Sequence, residues 1–355
     1  MRGRLGRIAA KAGLLGLSLL LCLLALEVGL RLLGYGAVGE REGNVVHHVV
    51  HEFRHDAVLN SLDLRDQEIG PKLPNELRVL ALGDSFTYGL GVEEPQTFVR
   101  RTESLLRDRA REAVLPATIR VINGGVGGGP FRQEKWLREV GLGLAPDLVV
   151  HSFFIGNDVY DALAWQRTRG ETEQPGRGWR GSLRNSVLLD WTWARLTRLP
   201  VLDRWLFDQG LRYQDYGLHL RDVPQVESQG WELVRGVLKQ EMQLLRERDV
   251  PLLVMIIPSS AQVRYGDQRP PEQDNELPNR ILKEFLAEQG VEFLDLLPRI
   301  ERQPEKDGFY YVLDLHWTDR GHRFAAEVLS ETLWPVVADR ARRFEAAEAS
   351  ADLAP

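Results

Sequence analysis

Position 85 offers a serine hydroxyl in the run Gly83-Asp84-Ser85-Phe86-Thr87-Tyr88-Gly89, and position 316 offers an imidazole in Asp314-Leu315-His316-Trp317. A serine hydroxyl is a poor nucleophile until a neighbouring imidazole accepts its proton, and that imidazole needs a partner on its other nitrogen to fix the tautomer. Asp314 and His316 are two apart, which in an extended loop points both side chains the same way and suits an Asp–His pair. Asp84 reads as an acceptor that stabilises the turn. Two more segments could join them: the loop Asn123-Gly124-Gly125-Val126-Gly127-Gly128-Gly129, whose N–H groups no side chain covers, and Gly156-Asn157-Asp158.

What must position these segments is a set of strands that end beside them. Apolar runs at 77–82, 119–123, 148–154, 252–257 and 291–294 alternate with helical patterns at 96–112, 131–143, 228–248, 276–289 and from 319 onward. Continuous apolar strands separated by helices predict a parallel sheet covered on both faces. The fold expected is therefore α/β, a three-layer doubly wound (flavodoxin-like) sheet of about five strands. In such a sheet ligands bind beyond the carboxyl ends of the strands. Three of the four segments closely follow an apolar run and the fourth comes after the last of them, so all four could converge on one edge.

In these blocks and their order the chain resembles the SGNH (GDSL) serine hydrolase superfamily, over about 77–335. The resemblance implies Ser85 as nucleophile, His316 as base, and an oxyanion hole formed by the Ser85 N–H, the Gly128 N–H and the Asn157 amide. It implies no cofactor and no metal. Nothing in the chain matches the Gly-x-Ser-x-Gly elbow of the ordinary α/β-hydrolases. One departure stands out: three residues before His316, where the family usually has aspartate, is Leu313. The Asp-x-His-Trp form instead resembles that of bacterial proteins that O-acetylate exopolysaccharides such as alginate. Asp314 is the expected orienting carboxylate; Asp319 and His322 form a rival pair with the usual spacing, at the start of the last helix. His151, inside an apolar strand, reads as a core histidine, and Trp317 as either a pocket wall or a loop anchor.

The remainder of the chain sets location. Residues 1–33 carry Arg2, Arg4, Arg7, Lys11 and Arg31 against one acid, Glu27. Residues 12–33 would make a helix of about 33 Å, enough to cross a hydrocarbon layer of roughly 30 Å. Glu27 and Arg31 lie i, i+4 near one end, where they can pair. An uncleaved signal anchor (1–34) is preferred to a cleaved signal peptide, because no Ala-x-Ala site follows. Either reading puts the body outside the cytoplasm, periplasmic or at the cell surface. Residues 35–76 read as a connector without clear periodicity. His47, His51 and His55 would align on a helix as metal ligands, but no helix is supported there. An insertion at 162–226 breaks the alternation and holds Trp165, Trp179, Trp191, Trp193 and Trp205, five of the nine tryptophans. It is either a lid or binding wall, or a helical subdomain filling its own core. Residues 336–355 read as a fraying tail.

The 355 residues are 43% hydrophobic and 27% charged, the composition of a globular protein. Without residues 1–33 the chain has 40 basic against 50 acidic residues, a net charge of −10 that argues against nucleic acid as a partner. The single cysteine, Cys22, excludes disulfides within the chain and cysteine-based zinc sites. The leading expectation is a membrane-anchored, extracytoplasmic esterase acting on an acylated small molecule or polysaccharide. The alternative is an O-acetyltransferase or deacetylase of a cell-envelope polysaccharide; a transferase would need an integral-membrane partner as acyl donor. A third reading is a silent glycan-binding or scaffolding module.

Overall fold

The computed structural model describes residues 2–33, 38–168 and 186–351. After the N-terminal helix Arg2–Leu32, three strands, β1 (Val38–Glu42), β2 (Val45–Val49) and β3 (Arg54–Val58), form an antiparallel meander. The body is a five-stranded sheet built from β4 (Glu76–Gly83), β5 (Thr118–Gly125), β6 (Leu148–Phe154), β7 (Leu252–Ile257) and β8 (Glu292–Asp295). Its spatial order is β5-β4-β6-β7-β8, and every neighbouring pair is parallel. This is the doubly wound α/β architecture expected from the alternating runs.

The strands read as unbroken apolar runs because both faces are covered. Val79 and Ala81 face the layer of helices Phe98–Glu112 and Asp319–Ala351. Leu80 and Leu82, between and beyond them, face the opposite layer, where Leu137 and Leu245 come from helices Pro130–Glu139 and Gln225–Arg246. β4, β6 and β7 thus bury both of their alternating sets of side chains, whereas the edge strand β8 leaves Glu292 and Phe293 exposed.

Two expectations about the flanks need correction. The connector, read as lacking periodicity, is a sheet over 38–58; in keeping with the absence of a supported helix there, His47, His51 and His55 do not share a helix face. His47 on β2 bonds Asp56 at 2.8 Å, whereas Nε2 of His55 on β3 accepts the Gly91 N–H at 3.0 Å. Nor do residues from 336 form a separate tail. The last helix runs through Pro335 to Ala351, and Val337, Ala338 and Ala341 are buried against the core. Within the 162–226 stretch, residues 162–168 complete the helix Asp158–Thr168, and Val187–Leu196 and Pro200–Asp208 are further helices. Trp179 lies outside the described residues.

The connector is keyed into the body by charge as well as packing. Asp66 is buried against Arg100 at 2.7 Å and Arg120 at 2.5 Å, and accepts the Asn123 N–H at 2.7 Å. Burial raises the Asp66 pKa, while the two guanidinium groups oppose the rise. Removing either arginine would leave Asp66 with one guanidinium partner, and only loss of both would leave its buried charge without an ion pair.

Candidate active site

The order of winding reverses between β4 and β6, the point at which a doubly wound sheet opens a crevice at its carboxyl edge. Ser85 follows β4 directly and Asn157 follows β6 by three residues, so the two flank that crevice. Ser85 heads the single helical turn Ser85–Tyr88. Asp84 caps it by accepting the Phe86 N–H at 2.9 Å, and Gly89 closes it at φ 84°. Only the glycines around the turn allow its close seating. A Cβ on Gly83 would stand 2.2 Å from Thr87 Oγ1, and one on Gly125 would stand 2.1 Å from the Tyr88 nitrogen.

Across the crevice, His316 Nε2 lies 2.7 Å from Ser85 Oγ, although 231 positions separate them in the chain. Its Nδ1 lies 2.5 Å from Asp314 Oδ1. A serine, an imidazole and a carboxylate are therefore joined in line, the arrangement that moves a proton off the hydroxyl. The backbone between them is not extended as expected. Leu315 sits at φ 70°, and this left-handed turn is what brings Asp314 and His316 together. Such a conformation is strained for leucine and persists only where its surroundings hold it.

Two side chains invisible to motif reading supply that hold, and a third braces the turn that carries Ser85. Glu52, from the connector, accepts N–H bonds from Val312 at 3.0 Å, Leu313 at 2.6 Å and Asp314 at 2.9 Å. Arg212, from the insertion, bonds the carbonyls of Val312 at 2.5 Å and Thr197 at 2.8 Å and pairs with Asp203. Arg65 is wholly buried behind the turn that carries Ser85, donating to the Gly89 carbonyl at 2.6 Å and the Val92 carbonyl at 2.7 Å. Trp317 is buried edge-on to Phe86 and Phe98, so it anchors the loop and does not wall the pocket.

Ser85, Asn157, Asp314 and His316 line one cleft of about 280 Å³, with Tyr213 and Asp215 among its other walls. The Asn157 Oδ1 is buried without a hydrogen-bond partner, so no bond at that atom fixes the amide's orientation. Gly128 is not brought into this cleft. It is exposed, at φ 73°, while its neighbour Gly127 lines a separate cavity of about 550 Å³ that Ser85 also borders. The rival pair is divided. Asp319 faces Arg101 at 2.5 Å, and His322 is buried with its Nδ1 accepting the Phe98 N–H at 3.2 Å. Burial pushes the His322 pKa down to about 3, so it stays neutral. His151 is buried against Glu241 at 2.7 Å, as expected of a core histidine.

Beside Ser85 lies a group of acids. Burial raises Asp84 to about 6, with Asp161 adding to the rise and His316 opposing it. Burial also raises Asp161 to about 6 and Asp158 well above its usual range, the latter reinforced by the charge of Asp84. Oδ2 of Asp84 and Oδ1 of Asp158 are buried without partners. A neutral carboxyl relieves that cost, which is why burial raises these pKa values.

With the fold and site in view, comparison with known proteins gives the class. The pattern described as the GDSL-like Lipase/Acylhydrolase family matches residues 81–324, and the chain belongs to that family. It is an ester-bond hydrolase by family. No curated protein matches the chain. Among solved structures it is similar to the lipase/acylhydrolase from Enterococcus faecalis, at 16% identity and a TM-score of 0.42, covering 73% of this chain and 96% of that one. The acetyl xylan esterase AlAXEase is similar at 13% identity and a TM-score of 0.42, covering 72% of this chain and 100% of that one. A catalytic mutant of Axe2, an acetylxylan esterase from Geobacillus stearothermophilus, is similar at 15% identity and a TM-score of 0.39, covering 71% and 92% respectively.

Proposed function

We propose that the chain is a membrane-anchored, extracytoplasmic esterase that works through an acyl-enzyme at Ser85. The observation that carries this reading is the hydrogen-bonded line Ser85 Oγ, His316, Asp314 at the switch point of the sheet. Ser85 Oγ attacks the ester carbonyl carbon as its proton passes to His316 Nε2. Asp314 accepts from Nδ1–H and stabilises the imidazolium that forms. The tetrahedral oxyanion takes the Ser85 N–H, which heads its turn without an intrahelical acceptor, and the Asn157 amide. The bond to the alcohol oxygen then breaks, His316 returns the proton to that oxygen, and the acyl group remains on Ser85. Water repeats the sequence and releases the acid. Gly128, the third donor implied by family resemblance, would have to turn inward from its exposed position to contribute. Anchoring rests on the helix segment Gly13–Leu32, 20 residues long and apolar enough to cross a bilayer.

A second acceptor is favoured by one observation. A chamber of about 350 Å³ adjoins the cleft, shares Arg212, Asp314 and Leu315 with it, and has Trp193 on its wall. A sugar hydroxyl standing there could replace water, making the enzyme an O-acyltransferase of an envelope polysaccharide. Short-chain p-nitrophenyl esters, with and without an oligosaccharide acceptor, test both readings. Esterase action predicts turnover that Ser85→Ala abolishes; undiminished turnover in that variant ends both.

A further inference from the structure

The insertion turns an apolar face outward. On the helix Val187–Leu196 the residues Leu189, Trp193 and Leu196 recur at spacings of four and three, on one face, and all are exposed, Leu189 at 55%. Ala194, on the other side, is buried. The next helix, Pro200–Asp208, repeats the pattern: Val201 is 84% exposed and Trp205 52%, while Leu206 and Phe207 are buried inward. A water-facing pair of helices would carry the opposite arrangement.

The same helices are tied to the segment long enough to span a bilayer. Glu27 accepts the Val187 N–H at 3.0 Å, the Leu188 N–H at 2.8 Å and the Ser186 hydroxyl at 2.9 Å, so it caps the helix Val187–Leu196. Glu27 stands five residues before Leu32, the end of the apolar span, or about 7 Å along the helix axis. That depth matches the roughly 5–10 Å to which an interfacial helix sinks into a membrane surface. Trp191 carries the Arg195 guanidinium 3.6 Å over its ring, and Arg195 is exposed; Arg198, in the turn after the helix, faces Glu52 at 4.0 Å. Tryptophan with arginine is the composition of the headgroup layer.

We infer that the outward face of helices Val187–Leu196 and Pro200–Asp208 lies in the interfacial layer of the bilayer that the N-terminal helix enters. The occupant of this face is the phospholipid surface itself, with Arg195, on the flank of the helix, reaching toward anionic headgroups. One consequence follows for the site. Trp193, Ala194 and Thr197 also line the chamber beside Asp314, so an amphiphilic ester could reach the cleft from the membrane side.

The test uses the full chain, reconstituted into vesicles of phosphatidylcholine and phosphatidylglycerol. With Cys22→Ala as background, a single nitroxide-labelled cysteine is placed by Leu189→Cys, Val201→Cys or Val114→Cys. Val114 is 85% exposed and precedes β5, at the sheet edge opposite the site. Labels at 189 and 201 should relax faster with oxygen, which concentrates in lipid, than with a water-soluble nickel chelate; the label at 114 should do the reverse. Labels at 189 and 201 that behave like 114 overturn the inference, and so do labels shielded from both agents, which would mean a protein partner covers the face. A second measurement, which rests on the esterase reading, uses Leu189→Glu with Val201→Glu. Turnover of a dissolved short-chain ester should be unchanged, and turnover of an ester embedded in the vesicles should fall roughly tenfold. Equal losses on both substrates overturn the inference. Absence of turnover in the parent chain would instead count against the esterase reading and leave the label depths to decide docking.

Discussion

Glu52 is the residue whose change would most sharply separate a positioned catalytic loop from a merely folded one. Its carboxylate accepts three consecutive backbone N–H groups, from Val312, Leu313 and Asp314, and the residue after them carries the strained φ of 70°. Oε2 takes two of the three bonds, at 2.6 and 2.9 Å. In Glu52→Gln an amide N–H must face a backbone N–H on one side, so at least one bond is lost. Each hydrogen bond to a charged group contributes about 1.5–3 kcal/mol, enough to let the Asp314–His316 loop shift. A displacement of about 1 Å at reacting groups can cost on the order of 10² in rate. The expected result for p-nitrophenyl acetate is a kcat lower by about 10- to 100-fold at nearly unchanged KM, with phosphonylation of Ser85 slowed in parallel. A lower Tm with kcat and phosphonylation rate intact would refute the reasoning, since Glu52 would then be a structural brace alone.

Other outcomes follow from the same site. Asn157→Ala should lower kcat by about 10²–10³ with little change in KM, because its amide acts on charge that exists only in the transition state; an equal change in KM alone would contradict that role. Asp161 has a folded pKa raised to about 6, so the stability associated with its neutral form is present at low pH and lost as pH rises through about 6. Asp161→Asn should therefore raise stability at pH 8 by up to about 3 kcal/mol and change it little at pH 3, read from urea unfolding at both values. His322 titrates the other way. Its folded pKa is lowered to about 3, so stability is full above the unfolded value near 6.5 and is lost as pH falls, by about 2 kcal/mol at pH 5. His322→Gln should flatten that fall, and an unchanged pH slope would show that the imidazole is not the source.

The residues of the candidate site were legible because strand ends announce them. Ser85 and Asn157 follow apolar runs that could only be buried parallel strands, and Asp314 and His316 bracket one residue after the last of these. The braces were not legible. Glu52 acts 260 positions before Val312, from a stretch with no helical period, and its carboxylate meets backbone N–H groups that no motif records. The meander had one readable trace. In Arg54–Val58 exposed and buried positions alternate, but His55 occupies an inward place, and histidine counts as polar in a search for alternation. Leu315 gave no sign at all, since leucine is among the residues least expected at positive φ. Gly128 is a further limit: it stands exposed at φ 73°, and the direction in which a run of glycines turns is not encoded by side chains.

Mass spectrometry of the chain after exposure to a fluorophosphonate tests the central claim most directly. The account predicts one covalent adduct, mapped to Ser85, absent from Ser85→Ala and strongly reduced in His316→Gln. An adduct mapped to another residue, or full labelling of Ser85 in His316→Gln, would contradict the hydrogen-bonded line from Ser85 through His316 to Asp314 as the working centre.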